Sequence, residues 1–173
     1  MATRTVLTLA ALAALAAPLD AQEYPRPEDV ATPEAAILAA YASLARPPGE
    51  KYDWERFRSL HLPSAVLVPN TEQTGGTSRV LTVQGFIDWI GQPDGGDGDR
   101  GFAEEQVHID LDTYGDIAQA MSTYQKHFWE DERILGRGIN SFNLVRIDGR
   151  WWIASIAWDE ENGAGSIPHE YLP

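Results

Sequence analysis

From Arg137 to Glu161 the sequence reads RGINSFNLVRIDGRWWIASIAWDEE, two apolar-rich runs on either side of Asp148-Gly149. Asp-Gly between such runs predicts a β-hairpin closed by a two-residue turn. Trp151, Trp152 and Trp158 all fall on its second arm, so the remainder of the chain is expected to cover this hairpin. Upstream, Val107, Ile109 and Leu111 alternate with His108, Asp110 and Asp112, the pattern of a strand with one wet face. Ile117 to Phe128 reads as the next strand, with small residues Ala118, Ala120 and Ser122 along one face, where a helix could approach or a cavity open. Nearer the N-terminus the period lengthens. Thr32-Pro33-Glu34 starts a helix over Ala35 to Ala45, with Ile37, Leu38, Tyr41 and Leu44 as its apolar face. Tyr52 to Leu60 predicts a second helix, Ala65 to Val68 a short strand, and Thr82 caps a third helix over Val83 to Ile90. Helices followed by a meander of strands predict an α+β fold, three N-terminal helices packed on a strongly curved, mainly antiparallel sheet.

Residues 1–21 stand apart from this pattern. Arg4 precedes an Ala/Leu run from Val6 to Ala17, and Leu19-Asp20-Ala21 ends it in small residues. That is the layout of a signal peptide, and the run is too brief to span a bilayer. The expectation is an exported chain, periplasmic or secreted, cut near Ala21. Residues 22–31 read as an extended proline-containing arm, 32–161 as one domain, and 162–173 as a tail whose Ile167, Tyr171 and Leu172 could dock onto the body. The formal charge of −13 argues against a nucleic-acid or anionic-membrane partner. The chain has no cysteine, which excludes disulfides and thiol chemistry.

Candidate chemistry is sparse. His61, His108, His127 and His169 lie singly, no cofactor fingerprint occurs, and no metal or cofactor is expected. The Gly/Asp-rich loop from Gly91 to Gly101 fails the calcium-loop pattern, because Gly96, Gly98 and Asp99 fall where ligands and glycine are required. More telling are polar residues that strands do not favour: Tyr124, Arg137, Asn140, Ser141, Asn143, Trp158, Asp159 and Glu160. A pure hairpin register puts Arg137 opposite Glu160, so Arg137 pairs with Asp159 or Glu160 in the structural reading and reaches a pocket in the other. The same parity places Asn140, Phe142 and Leu144 on one face, and separates Trp152 and Trp158 from Trp151 and Ile153. With bulk on both faces, the outer one is expected to pack on a second copy of the chain in a homodimer.

The run from Gly115 to Glu161 resembles the C-terminal half of the nuclear transport factor two-like superfamily, the cone-shaped α+β fold of ketosteroid isomerase, scytalone dehydratase and the SnoaL-like cyclases. The motifs Ser122-Thr123-Tyr124, Arg137 to Ser141, Arg150 to Ile153, Trp158 to Glu161 and the tail Pro168 to Leu172 resemble a group of exported bacterial SnoaL-like proteins without assigned function. The resemblance implies a cone able to hold a small molecule. Tyr41 falls where the isomerase tyrosine would, but Val68-Pro69-Asn70 stands where its carboxylate base is needed. Three readings follow. In the first, the cone binds a small apolar molecule through Tyr41, Tyr124, Arg137, Asn140 and Trp158. In the second, the chain is a lyase, isomerase or hydrolase with Asp110 or Asp159 as general base, and a buried carboxylate of raised pKa beside a tyrosine would distinguish it. In the third, it is a dimeric interaction module of the envelope.

Overall fold

A computed structural model describes residues 23–71, 73, 75–91, 100–129, 131 and 133–173. The expected leader and most of the Gly/Asp loop lie outside the described residues.

Helices α1 (Pro33–Leu44), α2 (Trp54–Leu60) and α3 (Val83–Ile90) fall close to their expected bounds. Side chains cap all three: Thr32 Oγ1 accepts from Ala35 N at 3.1 Å, Asp53 Oδ1 from Arg56 N at 3.1 Å and Thr82 Oγ1 from Gly85 N at 3.0 Å. On α1 the buried set is broader than the expected stripe. Ala36, Ile37, Ala39, Ala40 and Tyr41 are buried, whereas Leu38 is 46% exposed. Alanines let this helix sit close to the sheet on several sides, so its position is set by smallness as much as by apolar spacing.

Strands β1 (His61–Val68), β2 (Leu81–Thr82), β3 (Ala103–Tyr114), β4 (Ile117–His127), β5 (Ile134–Ile147) and β6 (Arg150–Glu160) form one sheet in the order β2-β1-β6-β5-β4-β3. Every pairing is antiparallel except β1 with β6, which is parallel. The strand expected over Ala65 to Val68 thus begins four residues earlier, at His61. In the central hairpin Ile147 opposes Arg150, and Asp148 and Gly149 both take positive φ (51° and 82°), the geometry of a tight primed turn.

Two bulges decide which residues face inward. On β6, Asn143 pairs with Ser155 but Leu144 with Ile153, so Ala154 is an extra residue. Beyond it the alternation inverts. Trp151, Ile153 and Ile156 are buried, Trp158 packs against the same core, and Trp152 faces the other way with the Arg150 guanidinium 3.5 Å from its ring centre. The expected separation of Trp158 from Trp151 is therefore corrected. The same bulge carries Glu160 opposite Gly138 rather than Arg137; Arg137 instead makes a two-point ion pair with Glu161, at 3.0 and 3.1 Å. On β3, Gln106 pairs with Tyr124 but His108 with Thr123, leaving Val107 as the second extra residue.

The arm and the tail are both tied down. Residues 27–30 form a 3-10 turn, and Asp29 accepts two hydrogen bonds from the Arg56 guanidinium at 2.9 and 2.7 Å. That ion pair, with buried Val30, replaces the free extended arm. At the other end Ile167 is buried and Thr123 Oγ1 donates to the Tyr171 carbonyl at 2.6 Å, so the tail docks on the outer sheet face.

Candidate functional site

Between the helices and the inner sheet face lies a cavity of about 560 Å³. Its walls are mostly aromatic and aliphatic, with Tyr41, Glu104, Tyr124, Lys126, Asn140 and Glu160 as the polar side chains that matter chemically. The size suits a small molecule.

α1 aims Tyr41 into this space, inward positions of β4 and β5 add Tyr124, Lys126 and Asn140, and Ser122 lies buried behind Tyr41. The proton directions in this cluster follow from counting. Ser122 has a single hydroxyl proton and gives it to Gln106 Oε1 at 3.1 Å. Tyr41 must then donate to Ser122 Oγ, at 2.8 Å, while its oxygen accepts from Asn140 Nδ2 at 3.0 Å. The second amide hydrogen of Asn140 reaches toward Glu104 Oε1 at 3.4 Å. A one-way chain runs from Asn140 through Tyr41 and Ser122 to Gln106.

Glu104 arrives by way of the Val107 bulge. Extending the alternation of Val107, Ile109 and Leu111 backward would put Glu104 and Gln106 on the wet face; the extra residue turns both inward. Burial pushes the Glu104 carboxyl up to about 7, and Glu160 adds to the rise, while Lys126 and the hydrogen bond from Asn140 oppose it. Although Glu104 is the direct cross-strand partner of Lys126, the Lys126 ammonium binds Glu160 Oε1 at 2.5 Å. Glu160 also accepts from Tyr124 Oη at 3.3 Å and from Gln73 Nε2 at 2.5 Å, and Gln73 Oε1 in turn accepts from the Trp158 indole at 2.7 Å. Burial, followed by the nearby Glu104 charge, raises both Tyr41 and Tyr124 above the ordinary tyrosine range, so both stay protonated.

Four of the residues expected at a ligand site, Tyr41, Tyr124, Asn140 and Trp158, line the cavity. Arg137 does not; it is spent on Glu161. Asp110 is exposed on the outer face 3.5 Å from His108, and Asp159 is exposed and accepts from Asn70 Nδ2 at 2.8 Å. Neither candidate base reaches the cavity. The cavity acid whose carboxyl burial raises is Glu104, which strand alternation had hidden. Chemically, the site is an apolar chamber holding one carboxyl able to take up and return a proton near neutral pH.

A scan of the sequence against protein-family models finds no match, and a search of curated proteins finds none either. Solved structures do match. A protein of unknown function with a cystatin-like fold from Nostoc punctiforme superposes with a TM-score of 0.55 at 16% identity, covering 82% of this chain and 96% of that one. The yeast UBP3-associated protein BRE5 gives 0.53 at 11% identity over 73% of this chain and 92% of its own. An NTF2-like protein of unknown function from Pseudomonas putida gives 0.50 at 14% identity, over 62% and 72%. With its helices laid on a six-stranded, mostly antiparallel sheet, the chain has the NTF2-like fold.

Proposed function

We propose that the inner cavity takes up a small, largely apolar molecule and that Glu104 moves a proton on it, a reaction of the lyase or isomerase type. One observation carries this reading: a carboxyl held at about 7 faces an apolar chamber while the nearest ammonium is committed to another acid. General acid–base catalysis works best when the group's pKa lies near the working pH. Glu104 takes the role that Asp110 or Asp159 was expected to fill. The test is carbon-13 glutamate NMR of the intact chain across pH. A carboxyl titrating near 7 and missing from Glu104→Gln supports the assignment; a Glu104 midpoint near the ordinary value of about 4.3 removes it.

A second reading, binding without turnover, draws on the Tyr41 proton. That proton goes to Ser122, so the tyrosine does not present its hydrogen to an oxyanion growing in the cavity. Recovery of a bound molecule chemically unchanged after prolonged incubation would favour this second reading over the first.

Export after cleavage near Ala21 and pairing into a homodimer belong to the same proposal. Tyr114, Ile117 and Ile147 are exposed on the outer sheet face, an apolar patch that a second copy would cover. A monomeric mass by light scattering at micromolar concentration would remove the dimer, and with it the reading as a dimeric envelope module. An uncleaved N-terminus on protein recovered from the producing cells would remove export.

A further inference from the structure

We infer that the ligand of the inner cavity is a cation, an apolar amine or quaternary ammonium, seated against aromatic faces with Glu104 as its counter-ion. The inference rests on reading the cavity as a ligand site and adds the charge of what enters it.

Two acidic side chains and one basic one line the chamber: Glu104, Glu160 and Lys126. Lys126 and Glu160 neutralise one another at 2.5 Å, which leaves an ionised Glu104 as an uncompensated negative charge in apolar surroundings. A buried charge is tolerated when an opposite one joins it. The walls suit that opposite charge. Tyr52, Phe86, Trp89, Phe102, Phe128 and Trp158 all line the cavity. The rings of Trp89 and Trp158 lie 6.5 Å apart at 24°, and Phe86 meets Trp158 edge-on at 5.8 Å. Indole faces attract ammonium groups more strongly than other side-chain rings do.

The polar inventory points the same way. Tyr41 donates to Ser122, Tyr124 to Glu160, the Trp158 indole to Gln73, and the Gln73 amide to Glu160. These donors are turned toward protein acceptors, whereas among the described residues Glu104 meets only the long 3.4 Å contact from Asn140. An anion entering here would find its natural partners occupied and a carboxyl opposing it. Outside the cavity, the formal charge of −13 draws cations toward the molecule.

Three probes of similar bulk separate the alternatives: benzyltrimethylammonium, its neutral isostere neopentylbenzene, and 4-tert-butylbenzoate. Binding to the full chain is followed by tryptophan fluorescence and calorimetry. None of the three titrates between about pH 5 and 8, so any pH dependence comes from the protein. Glu104 is faced by Tyr41 from α1, Tyr124 and Lys126 from β4, Asn140 from β5 and Glu160 from β6. Burial holds it at about 7, so binding a cation to its ionised form costs its proton below that pH. The expected result is that the ammonium binds more tightly than its isostere, weakens about tenfold per pH unit below 7, and levels off above it. Glu104→Gln should flatten that profile, with the variant's folding verified by circular dichroism. Should the variant not fold, the profile of the parent chain decides. Equal binding of the isostere, tighter binding of the benzoate, or a pH-independent ammonium affinity overturns the cationic assignment while leaving the apolar cavity intact. Failure of all three probes to bind overturns both.

Discussion

Lys126 and Glu104 are direct neighbours across β3 and β4, yet the Lys126 ammonium rests 2.5 Å from Glu160 instead. Opposite charges at paired sheet positions ordinarily stabilise each other. Here the cation crosses to β6, where Tyr124 and Gln73 complete the shell around the same carboxylate. Glu104 is left with burial as its dominant influence, and the acid–base character of the cavity follows from that choice of partner.

Removing the ammonium should therefore act on two acids at once. Lys126→Met is expected to push Glu104 above about 7, because a lowering influence is lost, and to leave Glu160 buried without its cation. The loss of stability should be on the order of 3 kcal/mol, the usual scale for breaking a buried pair from one side. Carbon-13 glutamate titration and urea unfolding read the two effects separately. A Glu104 midpoint that stays put or falls would contradict the arrangement.

Asn140 hydrogen-bonds both Tyr41 and Glu104. Its donation favours the charged form of Glu104, so Asn140→Leu should raise the Glu104 midpoint further. Loss of the amide also strips Tyr41 of its donor, and an unfolding loss of about 1–2 kcal/mol is expected. The NMR midpoint distinguishes this from a purely structural effect.

Stability should depend on pH through two groups that oppose each other. Glu104 is raised from 4.5 to about 7 in the folded chain, so its contribution is present below about 4.5 and is lost as pH rises through 7. Burial lowers His61 from 6.5 to about 4, so its contribution is present above 6.5 and is lost as pH falls toward 4. Each amounts to a few kcal/mol at most, on the order of 3 kcal/mol by linkage. Over that window the two trends offset. Glu104→Gln removes one of them, so the variant should gain on the parent as pH rises, being the more stable protein at pH 8 and losing that advantage at pH 5. Denaturant midpoints at the two pH values measure this, and a difference that grows toward acid would contradict the raised carboxyl.

Gly138 is required by closeness. A Cβ there would lie 2.6 Å from Tyr124 Oη and closer still to the Asp159 carbonyl on β6, which is backbone and cannot step aside. Gly138→Ala should cost about 3 kcal/mol and disturb the Tyr124–Glu160 contact. A melting temperature within error of the parent would show that β5 and β6 pack differently here.

Much of the architecture was legible in the residues. Thr32 and Thr82 announce helix starts through their own side chains, and Asp148-Gly149 announces its turn, because these are local effects acting within a few residues, whereas Asp53, the cap of α2, lay inside the helix expected over Tyr52 to Leu60. Tyr124, Asn140 and Trp158 could be singled out as polar or amphipathic groups that a plain sheet does not need, and Tyr41, on α1, through the family resemblance. Glu104 could not, since a glutamate three positions before a strand's alternating run looks like an ordinary surface residue. The partner of Arg137 was missed for a related reason: Glu160 and Glu161 are equally good acids, and a one-residue slip exchanges them.

The amino-acid pattern alone set where helices and strands form, how the hairpin turns, and that the tryptophan-bearing arm belongs to the core. Only the folded sheet decided which way the ends of β3 and β6 face, through one surplus residue in each, Val107 and Ala154. Neither residue type marks a bulge, because what places the extra residue is the fit of a twisting sheet against α1 and its neighbouring strands. That fit turned Glu104 from solvent into an apolar chamber, where burial could shift its proton affinity.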